Sequence, residues 1–139
     1  MCQPQPRPNR TKRSQGMNWL SQHKRLAIYL RDGLACVYCG SDITTGVSLS
    51  LDHLVPYSKG GSDAPTNLVT CCKRCNSARG NRPVNTFATA TAAYLNRDAD
   101  CVLAHVWACA ERPIDTETAK RLVERQGSCL KALHHLHQR

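Results

Sequence analysis

Between residues 18 and 32 the apolar positions Trp19, Leu20, Leu26, Ile28, Tyr29 and Leu30 recur at mostly helical spacing, and Gly33 supplies a stop. That spacing predicts a helix. From 46 to 51 the pattern changes to period two, Gly-Val-Ser-Leu-Ser-Leu, as in a half-buried strand. Leu68-Val69, beyond a loop rich in Gly, Ser, Pro and Asn, is its predicted partner. Residues 73–80 read as a short helix ending at Gly80, with Pro83 just beyond. The order is strand, long loop, strand, helix. After Pro83 the chain turns alanine-rich, with helical patterns over 86–95, 99–111 before Pro113, 115–126 before Gly127, and 128–137. Asp115 and Ser128 are predicted N-caps, because a short side-chain oxygen there accepts from free amides of the first turn. No internal repeat is present.

These patterns divide the chain into a basic flexible arm (1–16), a compact core (17–83) and a helical extension (84–139). At 139 residues there is room for one compact domain plus arms. Aromatic residues make up 5%, with one Phe and two Trp, so large rings carry little of the core and another staple is expected. Nine cysteines, an odd count that includes two Cys-x-x-Cys pairs, favour metal ligation over disulfides and with it a reducing compartment. Residues 1–16 hold no apolar run, and no stretch approaches the roughly 20 apolar residues of a membrane span. The expectation is a soluble, intracellular protein.

The formal charge is +9, and the excess is concentrated early: Arg7, Arg10, Lys12, Arg13, Lys24, Arg25 and Arg31 face a single acid, Asp32, within residues 1–33. Such an excess favours a polyanionic partner, although basic surfaces also serve solubility alone. Chemistry has to decide.

The strongest chemical signal is Cys36-Val37-Tyr38-Cys39 paired with Cys72-Lys73-Arg74-Cys75, thirty-two residues further on. Four thiolates suit a closed tetrahedral Zn²⁺ site, since each Cys-x-x-Cys brings two sulfurs of one turn to the ion. Cys71 lies next to Cys72, but its spacing to Cys75 is three intervening residues, so Cys72 is the better ligand. Cys2, Cys101, Cys109 and Cys129 lack partner spacing and read as small buried hydrophobes or incidental thiols.

Between the pairs stand Leu51-Asp52-His53-Leu54-Val55-Pro56, Gly60-Gly61 and Asn67-Leu68, and Asn76 follows Cys75 directly. Here the chain resembles the HNH endonuclease family, whose ββα-metal motif often reads Asp-His-x-x-Pro, Gly-Gly, Asn-Leu and Cys-x-x-Cys-Asn. The resemblance runs from about Leu30 to Pro83, with Arg79-Gly80-Asn81-Arg82 as a basic ending. Asn76 stands where many members have a final histidine. The fold so implied is α+β: a small, treble-clef-like ββα-metal (HNH) core stapled by a zinc ion on four cysteines, followed by the helical extension.

The resemblance implies a metal-dependent endonuclease acting on DNA. His53 would be the general base, since a neutral imidazole can take a proton from water near neutral pH. Asp52 and Asn76 would hold a hard divalent cation, Mg²⁺ or Mn²⁺, that stabilises the charged phosphorane and the leaving 3′ oxygen. Asn76 reads equally as a cap at the helix start. Asn67 would pin the loop that orients His53, or be an ordinary polar loop residue. Arg79 and Arg82 are candidate phosphate clamps, with a solvated basic face as the equal alternative. His134, His135 and His137 form a terminal cluster without a Cys or acid at ligand spacing, and read as a solvent-facing helix end. His23 and His105 read as surface or packed residues, and Trp19 and Trp107 as helix-packing rings.

A second reading, a zinc-stapled nucleic-acid-binding module without catalysis, accounts for charge and cysteines but leaves Asp52, His53 and Asn76 unexplained. A protein-interaction zinc domain fits the helical segment but gives no reason for the charge. Residues 84–139 extend the DNA-binding surface, form a homodimer or dock on a partner such as a phage packaging protein, and the helical pattern does not choose among these. The implied setting is the cytoplasm of a bacterial or phage-infected cell.

Overall fold

The computed structural model describes residues 19–138; the basic arm at 1–16 and Cys2 lie outside the described residues. The first helix, α1 (Gln22–Arg31), begins where Ser21 Oγ accepts from the amide of Lys24 at 3.3 Å, and Gly33 follows it at φ +79°. It is shorter than the spacing over 18–32 predicts. Trp19 and Leu20 precede it in a bend, because the serine cap fixes the start three residues later.

Two strands follow, β1 (Leu49–His53) and β2 (Leu68–Cys72), paired antiparallel in register Leu49↔Cys72 through His53↔Leu68. The first strand sits later than the alternation over 46–51 predicts. Gly46 is the left-handed C-cap of a 3-10 turn over Ile43–Thr45, so the chain is still turning there. Strand β2 is buried throughout and runs directly into α2 (Lys73–Arg79), stopped at Gly80. The helices α3 (Val84–Leu95), α4 (Ala99–Glu111), α5 (Thr116–Gln126) and α6 (Cys129–His137) complete the order. Asp115 and Ser128 cap α5 and α6, accepting from the amides of Thr118 and Lys131, each at 3.0 Å. None of these helices is long and apolar enough to cross a membrane.

The hairpin divides the apolar interior. On one side Cys36, Val37, Tyr38, Cys39, Leu54, Val69, Cys72 and Cys75 pack with Val84 and Phe87 of α3 and Val106 and Cys109 of α4. Tyr38 meets Phe87 edge-on, with ring centroids 4.9 Å apart. On the other side Leu26, Ile28, Tyr29, Leu51 and Leu68 pack with Ala119 of α5 and Cys129 and Ala132 of α6. Helices α5 and α6 therefore cover α1 with their apolar faces, and Cys129 N donates to Gln22 Oε1 at 2.8 Å to close that contact.

A buried ion pair ties the halves together. Arg31 meets Asp32 at 2.7 Å with both side chains almost fully buried, and also donates to the carbonyls of Pro65 and Leu68 at 2.9 and 2.7 Å. Asp32 in turn accepts from Thr70 N at 2.8 Å. Each charge thus has the partners that burial demands.

Candidate functional site

Cys36 and Cys39 lie on the turn after α1, while Cys72 ends β2 and Cys75 lies in the first turn of α2, so the hairpin brings both pairs together. The four sulfurs are buried and lie within 4.8 Å of one another. Tetrahedral ligands at the Zn–S distance of about 2.3 Å stand about 3.8 Å apart, and Cys39 Sγ and Cys72 Sγ are 3.8 Å apart. Backbone amides meet the sulfurs: Cys39 N donates to Cys36 Sγ at 3.5 Å and Cys75 N to Cys72 Sγ at 3.4 Å. The donor set and spacing fit a zinc ion. Cys71 is buried near Cys36 but stands outside the set of four, and its thiol donates to the Cys72 carbonyl at 3.3 Å.

The same two knuckles reach Asp52 on β1. Tyr38, inside the first Cys-x-x-Cys, donates its hydroxyl to Asp52 Oδ2 at 2.7 Å, and Arg79, at the end of α2, donates to the same oxygen at 2.6 Å. Arg79 is 1% exposed, and its other contacts are the carbonyls of His53, Leu54 and Arg82 at 2.7, 2.8 and 2.8 Å. Burial pushes the Asp52 carboxyl above its ordinary range, against the pull of Arg79 and Tyr38. Burial and the neighbouring carboxylate hold the Tyr38 phenol far above its usual range, so it remains a donor.

Arg79, a candidate phosphate clamp by sequence, thus turns four of its five N–H donors to a buried carboxylate and three carbonyls. Arg82 is exposed, lies over the Phe87 ring at 5.1 Å and donates to Ala78 O at 2.8 Å.

His53 ends β1, one residue on from Asp52 and therefore on the other face of the strand. Its side chain is 11% exposed, and Nε2 lies 2.8 Å from Asp63 Oδ1. Trp19 stacks against the imidazole at 5.0 Å, with Tyr57 at 5.9 Å. Sequence reasoning places neither Trp19 nor Asp63 in the site. Trp19 reads locally as part of a helix, and Asp63 carries no spacing signal ten residues from its partner.

The loop from Leu54 to Asn67 is clasped by one side chain. Asn67 Oδ1 accepts from Val55 N at 2.9 Å, while Nδ2 donates to Val55 O at 3.2 Å and Ser62 O at 2.8 Å. Gly60 sits at φ +86°, and a Cβ on Gly61 would stand 1.7 Å from the Val55 carbonyl oxygen. The first glycine permits the turn and the second the close backbone approach. Asn76, in α2, donates from Nδ2 to Ser50 Oγ at 3.1 Å. Ser50 shares a face of β1 with Asp52, so Asn76 and Asp52 approach from the same side.

A family model described as HNH endonuclease matches residues 36–89. The match spans 54 of the 139 residues. Among curated relatives, the CRISPR-associated endonuclease Cas9 of Corynebacterium diphtheriae is 42% identical over 62 residues, which cover 44% of this chain and 6% of that protein. That of Actinomyces naeslundii is 42% identical over 57 residues, 40% of this chain and 5% of that protein. The chain thus matches only about one-twentieth of the length of these relatives. The crystal structure of the Type II-C Cas9 enzyme from Actinomyces naeslundii aligns over 70% of this chain and 12% of its own, at 25% identity and a TM-score of 0.41. The HNH segment contains the cysteine cluster, Asp52, His53, the Asn67 clasp and Asn76.

Proposed function

We propose that this chain is a metal-dependent endonuclease that hydrolyses phosphodiester bonds in DNA, with zinc in the four-cysteine cluster and His53 as general base. The observation that carries this reading is His53 itself: a partly exposed imidazole next to Asp52, held in place by Asp63 and Trp19 at the end of a strand within an HNH segment. The endonuclease relatives support the same reading.

In the proposed reaction His53 accepts a proton from water as the water oxygen bonds to phosphorus and the bond to the 3′ oxygen breaks. The leaving 3′ oxygen takes a proton from solvent water, and the products are a 5′-phosphate and a 3′-hydroxyl. Asp52 and Asn76 would hold Mg²⁺ or Mn²⁺. Among the described residues the hydrogen-bond partners of the Asp52 carboxylate, Tyr38 and Arg79, both meet Oδ2, and Asn76 uses its Nδ2, which leaves an oxygen on each side chain for a hard cation. When bound, such an ion supplies positive charge against the developing phosphorane and leaving oxygen. Arg79 positions Asp52 and the backbone of His53, Asn67 fixes the following loop, and Arg82 contacts phosphate. Four cysteines arranged to hold a metal suit a reducing compartment such as the bacterial cytoplasm.

The test is cleavage of supercoiled plasmid with Mg²⁺, with Mn²⁺ and with EDTA. The proposal predicts nicked or linear product with either cation and none with EDTA. DNA binding without cleavage under all three conditions would favour the non-catalytic zinc module instead.

A further inference from the structure

His53 presents two ring nitrogens, and only one of them can serve as the base. Its Nε2 lies 2.8 Å from Asp63 Oδ1, within hydrogen-bond range. An ionised carboxylate has lone pairs and no proton, so in this contact Nε2 is the donor and carries the hydrogen. In the neutral ring the lone pair then resides on Nδ1.

Asp63 is itself held in place. It follows Ser62, whose carbonyl accepts from Asn67 Nδ2 at 2.8 Å, and it precedes Ala64, whose amide donates to Ser62 Oγ at 3.3 Å. The Gly61 backbone is pressed against Val55, so this loop cannot easily withdraw. Trp19 lies 5.0 Å from the imidazole at 31° between planes and limits rotation of the ring from a second direction.

We infer that Asp63 is a positioning residue for the reaction: it fixes the Nε2–H tautomer of His53 and turns Nδ1 toward the attacking water. This inference rests on the general-base reading of His53. In the wrong tautomer the nitrogen facing the water carries a hydrogen and cannot accept another, so the penalty falls on turnover rather than on DNA binding. The Asn67 clasp acquires a second consequence, because it holds the acid as well as the loop.

The experiment compares Asp63→Ala, Asp63→Asn and His53→Ala in the full chain with Mg²⁺, measuring kcat and KM on plasmid and the ring ¹⁵N spectra of histidine-labelled protein at mildly alkaline pH. The His53→Ala spectrum identifies the His53 signals. The expected result is that Asp63→Ala lowers kcat by about tenfold or more with little change in KM, comparable to losing an imidazole-orienting partner at other sites, and moves His53 from one tautomer to a mixture. Asp63→Asn should recover much of both, since its amide oxygen still accepts from Nε2. Wild-type kcat and an unmoved ring spectrum for Asp63→Ala, beside an inactive His53→Ala, would overturn the role of Asp63 alone. Full activity of His53→Ala would overturn the general-base reading on which it rests.

Discussion

At the Leu49/Cys72 end of the β1/β2 hairpin four sulfurs converge, whereas at the His53/Leu68 end side chains hydrogen-bond to backbone and to one another. The cysteine end is closed, with every candidate ligand buried. The histidine end is half-open: Asp52 and Arg79 lie inside, while His53, Asp63, Val55 and Tyr57 reach solvent to different degrees. The difference separates two tasks. A closed set of soft ligands holds a fold together without presenting anything to a substrate, and a reactive imidazole must be reachable yet fixed in direction. Tyr38 and Arg79 connect the ends, because each leaves a cysteine knuckle and arrives at Asp52.

Breaking the cysteine end should have the largest effect. Structural zinc contributes on the order of 10 kcal/mol of apparent binding energy in zinc-finger peptides, so stripping the metal with a chelator should unfold the chain, as followed by circular dichroism and metal analysis. Cys72→Ser should do the same. Cys71→Ser should leave zinc content and melting nearly intact, because that thiol stands outside the set of four and donates to a carbonyl. Equal damage from both would mean that the ligand set is wrong.

Next in size is Arg79→Ala. Removing one partner of a buried pair costs about 3–5 kcal/mol, since the remaining charge has lost its compensation. Chemical denaturation should show a loss of this order while stoichiometric zinc is retained. Arg79→Lys should recover only part of it, because an ammonium cannot reproduce the planar fork that meets Asp52 and the carbonyls of His53 and Leu54.

Gly61→Ala probes the backbone contact under the loop. A Cβ at 1.7 Å from Val55 O forces the two segments apart, and overpacking of this kind costs about 1–3 kcal/mol. Turnover should fall further than stability does, because the displaced segment carries Asp63. A variant as active as the parent would show that the loop is not needed to orient His53.

Much of this arrangement is legible in the sequence, and what is not shares a physical cause. Prolines and caps are local, so the bounds of α4 (Ala99–Glu111) and the caps Asp115 and Ser128 follow from sequence. The four clustered cysteines announce themselves through paired spacing that suits a tetrahedral ion. Arg79 lies in a run of basic residues that looks solvated, yet it is buried. A signal is present, since Arg79 stands four residues after Cys75 and so shares the helix face of a buried ligand. For Asp63 and Trp19 no local signal exists. Their contacts with His53 arise only when the loop and the segment before α1 close over the end of the strand.

His53→Ala should cost about 1 kcal/mol of stability for the lost contact with Asp63, less than Arg79→Ala, and it isolates chemistry from folding. Its nicking rate on supercoiled plasmid, compared with the parent chain at equal zinc content and saturating Mg²⁺ or Mn²⁺, is the most direct test of the proposed function. The account predicts a fall of about 10²–10⁴ in rate that excess Mn²⁺ does not restore, with DNA binding and melting near those of the parent. A His53→Ala protein that cut plasmid as fast as the parent in the same metal would contradict it.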